Sequence, residues 1–157
     1  MTKLLMVCMG NICRSPMAQA VTLHLAEQAG LAHNIRVDSA GTHAGRGSEP
    51  PDPRAKFVLS GRGYPVGKSR SRQLTERDFE RYDLVLAMDH ANLNDLLRIC
   101  PTDHAHKLRL FLEFAQSVDV RDIPDPYYGN VQGFEHVLDL CEAAARGLVK
   151  HYQATPQ

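Results

Sequence analysis

Cys8-Met9-Gly10-Asn11-Ile12-Cys13-Arg14-Ser15 lies between an apolar run and a helical pattern. The run before it, Leu4–Val7, is short and does not alternate with polar residues, as expected of a strand covered on both faces. After it, Pro16 to Gly30 sets Ala18, Val21, Leu25 and Ala29 at helical spacing, and Gly30 is a natural stop. Strand, tight loop and helix in that order begin a right-handed βαβ unit on a parallel sheet.

The pattern repeats outward from this stretch. Further buried strands are predicted at Ile35–Val37, Leu84–Ala87 and Leu108–Leu112. Asp52-Pro53 reads as an N-cap followed by proline at the first helical position, opening a helix toward Gly61. Thr75 to Asp78 reads as a weaker helix start, and Asp89 as the cap of a helix through Leu93, Leu96 and Leu97. Val131 to His151 is a long amphipathic helix with Phe134, Val137, Leu138, Cys141, Ala144, Ala145 and Leu148 on one side. The predicted fold is α/β, a three-layer α/β/α arrangement around a short parallel sheet of about four strands with Rossmann-like topology. A single domain over residues 1–157 fits this length. In such sheets ligands bind at the carboxyl ends of strands, here at residues 8–15 and the loop Asp122–Asn130.

Composition narrows the function classes. Hydrophobic residues make up 43% and charged residues 23%, as in ordinary globular proteins. Lys plus Arg equals Asp plus Glu at 18 each, so no global field points to nucleic acid or an anionic membrane, although a local patch is compatible with the balance. No apolar run reaches the length of a membrane span, and the first residues are too short a run for an export signal, so a cytoplasmic location is expected. The four cysteines, Cys8, Cys13, Cys100 and Cys141, form no C-x2-C pair, and no structural disulfide is expected. Cys100 and Cys141 read as buried apolar residues. His104 and His106 read as an exposed turn rather than a metal site, and no metal or cofactor is expected.

The loop itself carries chemistry. Between a strand and a helix, successive backbone N–H groups can turn inward as an anion nest, and the helix N-terminus adds positive potential. Both favour a thiolate at Cys8. Gly10 permits a backbone angle that a side chain resists, and Asn11 enters left-handed space readily. Arg14, six residues after Cys8, offers a planar fork that matches two phosphate oxygens. Ser15 can donate to the sulfur and improve it as a leaving group. Met9, Ile12 and Cys13 complete the phosphate-binding loop. Cys13, close to Cys8 in the loop, is positioned to trap an oxidised Cys8 as a disulfide. Expelling an ester oxygen needs a proton donor, and Asp89, Asp122 and Asp125 all fall near the functional edge; spacing does not choose among them.

C-M-G-N-I-C-R-S-P-M-A resembles the signature of the low-molecular-weight protein tyrosine phosphatases. Further matches are Asp38-Ser39-Ala40-Gly41-Thr42, Glu49 to Arg54, Ala87-Met88-Asp89 and Asp125-Pro126-Tyr127-Tyr128-Gly129. The resemblance implies hydrolysis of phosphate monoesters, phosphotyrosine above all, through a cysteinyl-phosphate intermediate. It implies Cys8 as nucleophile, Arg14 as phosphate ligand and Asp125 as general acid. Tyr127 and Tyr128 would wall the cleft, and Ser39 would support the loop through Asn11. Two departures stand out. Ser69 replaces a histidine that in the family supports the loop, which bears on how tightly Asn11 and Ser15 are held. The stretch His43 to Ser48 lacks the family's bulky aromatic, implying a more open, more basic rim.

The implied partners are a tyrosine-phosphorylated protein or small aryl phosphate, with inorganic phosphate as product; neither nucleic acid nor membrane is a partner, and the chain is a monomer or weak dimer. Three other readings use the same loop. A protein arginine phosphatase tends to carry threonine where Ile12 stands. An arsenate reductase needs a cysteine relay close to the loop, whereas Cys100 and Cys141 read as core residues and D-P-Y-Y-G favours ester hydrolysis. A non-catalytic phosphopeptide-binding module needs neither Cys8 nor Asp125.

Overall fold

The computed structural model describes residues 1–154; the last three residues of the predicted 1–157 domain lie outside the described residues. Strand β1 (Thr2–Cys8) leads into α1 (Arg14–Gln28), β2 (Ile35–Gly41), α2 (Pro53–Gly61) and the short α3 (Asp78–Arg81). Then come β3 (Leu84–Ala87), α4 (His90–Ile99), β4 (Leu108–Leu110) and α5 (Val131–Ala154), with 3-10 turns at Thr102–Lys107 and Phe111–Phe114.

The four strands form one parallel sheet in the order β2-β1-β3-β4. Central β1 is paired on both sides: Leu4 lies opposite Val37 on β2 and opposite Leu84 on β3. Its residues alternate between two apolar layers. Leu4, Met6 and Cys8 join the core beneath α1 and α5, with Met17, Val21, Phe134 and Leu138. Leu5 and Val7 face the other layer, with Phe79, Leu96, Leu108 and Leu110. Both layers are sealed from water, which explains why β1 reads as a continuous apolar run. The three-layer α/β/α prediction is therefore correct. Among the described residues, no helix is long and apolar enough to cross a membrane.

Local signals set most boundaries. Asp52 accepts from the Arg54 amide at 2.9 Å and Pro53 opens α2, as expected. Asp89 and Asn92 form a reciprocal capping box that starts α4. Three expectations need correction. The fourth strand ends at Leu110 rather than Leu112, because Phe111 and Leu112 are both fully buried in the same layer, which two-residue strand alternation does not allow. The 3-10 turn they begin presses onto α5 so closely that a Cβ at Gly147 would collide with the Phe114 carbonyl oxygen. Thr75 does not start a helix: α3 begins at Asp78, whose buried carboxylate accepts from the Thr75 amide at 2.8 Å and from Arg72. Cys100, unlike the fully buried Cys141, is only half-buried at the end of α4. His104 and His106 sit on the Thr102–Lys107 turn, the second exposed and the first half-buried.

Candidate active site

At the carboxyl end of β1 the chain wraps the Cys8 sulfur. Asn11 takes the left-handed conformation expected of it, with φ of 59°. Its amide donates to Cys8 Sγ at 3.3 Å, and Ser15 Oγ lies 3.0 Å from the same sulfur. The Asn11 side chain fixes this hydroxyl: Nδ2 donates to Ser15 Oγ at 2.7 Å, which leaves the hydroxyl proton for the sulfur. Gly41, opposite Cys8 on β2, lies so close to the loop that a Cβ there would meet the Met9 carbonyl oxygen at 2.6 Å.

Arg14, the first residue of α1, is 3% exposed. Its NH1 donates to Asp89 Oδ2 at 2.5 Å and to the Ile123 carbonyl at 2.9 Å. Its NH2 faces Asp125, 3.6 Å from Oδ2. One side of the fork is thus anchored on Asp89 and Ile123, and the other faces Asp125. This sorts the three aspartates that spacing left equal. Asp89 is spent on Arg14 and on capping α4. Asp122 accepts from the His90 amide and pairs with its ring. Asp125 lines a pocket of about 170 Å³ together with Cys8, Met9, Gly10, Ile12, Cys13, Tyr127 and Tyr128.

The profile of the family described as low molecular weight phosphotyrosine protein phosphatase matches residues 3–157. A low molecular weight protein-tyrosine-phosphatase of Streptomyces coelicolor is 46% identical, covering 91% of this chain and 88% of the relative. The low molecular weight phosphotyrosine protein phosphatase of Homo sapiens is 38% identical, covering 93% and 92%. The crystal structure of the Entamoeba histolytica protein tyrosine phosphatase with Hepes in its active site superposes with a TM-score of 0.94 at 37% identity, covering 98% of this chain and 97% of that one. The chain belongs to the low molecular weight phosphotyrosine protein phosphatase family. It is an enzyme of that class.

In this phosphatase Ser39 does not reach Asn11, contrary to the expectation. Its hydroxyl donates to Gln19 Oε1 on α1 at 2.7 Å, and Gln19 Nε2 donates in turn to the Val37 carbonyl. Asn11 Oδ1 instead accepts the backbone amide of Arg72 at 3.0 Å. A main-chain donor from the 71–73 segment holds the loop, although Ser69 replaces the family histidine. His43 is exposed, contacting Thr42 Oγ1 and lying 4.0 Å from Asp95.

Sequence reasoning missed a strut between the two halves of the site. The Asp52 amide donates to the Ile12 carbonyl at 2.7 Å, tying it to the phosphate loop. The Asp52 carboxylate receives Arg54 through Nε and NH2. Arg54 continues outward: NH1 donates to the Gly129 carbonyl at 3.0 Å and NH2 to the Tyr127 carbonyl at 2.9 Å. Its guanidinium covers the Phe134 ring at 4.5 Å. Hydrogen bonds from Arg54 hold the Asp52 carboxyl below the usual carboxylate range. In the sequence Asp52-Pro53 reads as a helix start and Glu49 to Arg54 as a family match, neither of which reveals the contact to the 127–129 loop.

Tyr127 and Tyr128 pack edge to face with centroids 5.0 Å apart, and Tyr128 stands almost wholly in solvent. Cys13 faces the pocket but is 5% exposed. Burial, with the charges of Asp52, Cys8 and Asp125 nearby, pushes its thiol up to about 12. Among the described residues, no group of three or more His, Cys, Asp or Glu is placed to hold a metal ion.

Proposed function

We propose that the chain hydrolyses phosphate monoesters, protein phosphotyrosine above all, with Cys8 as nucleophile and Asp125 as general acid. The observation that carries this reading is that Cys8 and Asp125 line one small pocket, with Arg14 NH2 3.6 Å from the Asp125 carboxylate.

The sulfur of Cys8 attacks phosphorus in line with the leaving oxygen. Loop amides of residues 9–14 and Arg14 NH2 take the equatorial oxygens, where the developing charge lies. The P–O bond to the leaving group breaks, and protonated Asp125 gives its proton to that oxygen. A cysteinyl-phosphate remains. Water then attacks phosphorus and passes a proton to the Asp125 carboxylate. The P–S bond breaks and the sulfur leaves with its charge stabilised by the Ser15 hydroxyl and the Asn11 amide. Inorganic phosphate is released. Tyr127, Tyr128 and Ile12 provide apolar walls for a phenolic ring.

The test compares wild type with Cys8→Ser on a chromogenic aryl phosphate, then wild type on phosphotyrosine, phosphoarginine and arsenate. The expected result is turnover by wild type alone and preference for phosphotyrosine. Retained hydrolysis by Cys8→Ser contradicts the mechanism; preference for phosphoarginine or thiol-dependent arsenate reduction contradicts the substrate.

A further inference from the structure

A second cleft lies apart from the Cys8 pocket, between β2 and the extended 69–75 segment. It encloses about 550 Å³ and shares no lining residue with the Cys8 pocket. Four arginines line it, Arg36, Arg70, Arg72 and Arg81, against a single acidic lining residue, Asp38.

Two of the four charges are already matched. Arg36 Nε pairs with Asp38 at 3.1 Å, and Arg72 makes a two-pronged pair with buried Asp78, both bonds 2.9 Å. The other two are not. Arg70 has one long bond, donating to the Ser48 carbonyl at 3.4 Å. Arg81, exposed at the end of α3, has no hydrogen-bonding or ionic side-chain partner among the described residues. Four arginines less the two carboxylates that pair with them leave a surplus of two positive charges in one concavity. That surplus equals the charge of a phosphate dianion. The lining cations are all arginine; neighbouring Lys68 is not among them. Guanidinium forks match the paired oxygens of a phosphoryl group, which a lysine ammonium does not. Ser69, another lining residue, carries a hydroxyl as a neutral donor.

We propose that this cleft is a second anion site that binds a phosphoryl dianion between Arg70 and Arg81, separate from the catalytic pocket. The assignment does not rest on Cys8 chemistry. The site sits on the segment whose Arg72 amide holds Asn11, so its occupant and the catalytic loop touch the same stretch of chain.

The experiment follows backbone amide resonances during titration with inorganic phosphate, with capped phosphoserine, and with succinate as a carboxylate dianion. With phosphate, the amides of residues 8–15 and those of 36–39 and 69–75 are expected to shift with two different midpoints. In Arg70→Gln/Arg81→Gln, the second set is expected to weaken about tenfold or more, the value of a lost charge-assisted bond, while the first set is unchanged. Unchanged shifts at 8–15 also report that the variant is folded. Binding of capped phosphoserine in the cleft assigns the site to phosphorylated proteins; binding of inorganic phosphate alone assigns it to the free ion; both support the proposal. A single midpoint for all residues, a second set that survives the double substitution, or equal binding of succinate overturns it.

Discussion

The two halves of the catalytic pocket are built in opposite ways. The loop at residues 8–15 buries Cys8, Asn11, Cys13, Arg14 and Ser15 while Met9 is exposed; it is bonded to itself through Asn11 and Ser15 and backed by Gly41 on the neighbouring strand. The loop at 118–130 is largely exposed and is held by side chains sent from elsewhere: Arg14 to Ile123, His90 to Asp122, and Arg54 to Tyr127 and Gly129. A cradle for a dianion must have its dipoles fixed before the substrate arrives, and burial does that. An acid over a leaving group must admit substrates of varied shape, and tethers on an exposed loop allow it. Losses in the first half should therefore affect every substrate, and losses in the second should depend on the leaving group.

The largest expected effect is that of Cys8→Ser, which removes the nucleophile and should reduce turnover by about 10⁶-fold, to background. Arg14→Lys retains charge for Asp89 but loses the fork. It should cost about 10²–10³-fold in kcat/KM, equally for aryl and alkyl phosphates. Asp125→Asn should slow phosphotyrosine turnover by ~10²–10⁴-fold and activated aryl esters much less, because a good leaving group needs no proton. A uniform loss across leaving groups would remove the distinction between the halves. Arg54→Met should lower kcat on phosphotyrosine by roughly ten- to a hundredfold through misplacement of Asp125, with the same leaving-group dependence. Because Arg54 holds the Asp52 carboxyl low, the tether contributes stability above the carboxyl's ordinary range and loses it as pH falls through the lowered value. Wild-type acid unfolding should show this and the variant should lack it.

The smallest effect on turnover is expected from Cys13→Ala. With its thiol pushed up to about 12, Cys13 stays protonated at neutral pH, so alkylation should spare it. Peroxide converts Cys8 to a sulfenic acid; condensation with the Cys13 thiol expels water and forms a disulfide, which added thiol reduces. Recovery after peroxide and thiol should be complete in wild type and poor in Cys13→Ala; equal recovery would contradict this role.

How much of this was legible in sequence follows from where each signal lives. β1 and the loop after it were readable because a fully buried strand is apolar throughout and the loop's chemistry is local. Asp52-Pro53 and Asp89 were readable because capping is a matter of a few neighbouring residues. Phe111-Leu112 was misread, since an apolar pair does not reveal whether it continues a strand or turns under a helix at Gly147. Ser39 was misassigned and the Arg54 strut missed because each depends on pairing across distant segments. Spacing alone did not choose among Asp89, Asp122 and Asp125, and the family resemblance singled out Asp125; the partners of the other two, Arg14 and His90, became visible only in the structure because they lie far away in the chain.

The most direct test of the account is rapid-quench trapping of the phosphoenzyme with a phosphotyrosine peptide in the presence of excess substrate. One phosphoryl group on the peptide containing Cys8, formed and consumed at rates compatible with turnover, is the predicted result. Steady-state hydrolysis without any phosphorylated Cys8, or with label on another residue, would contradict it.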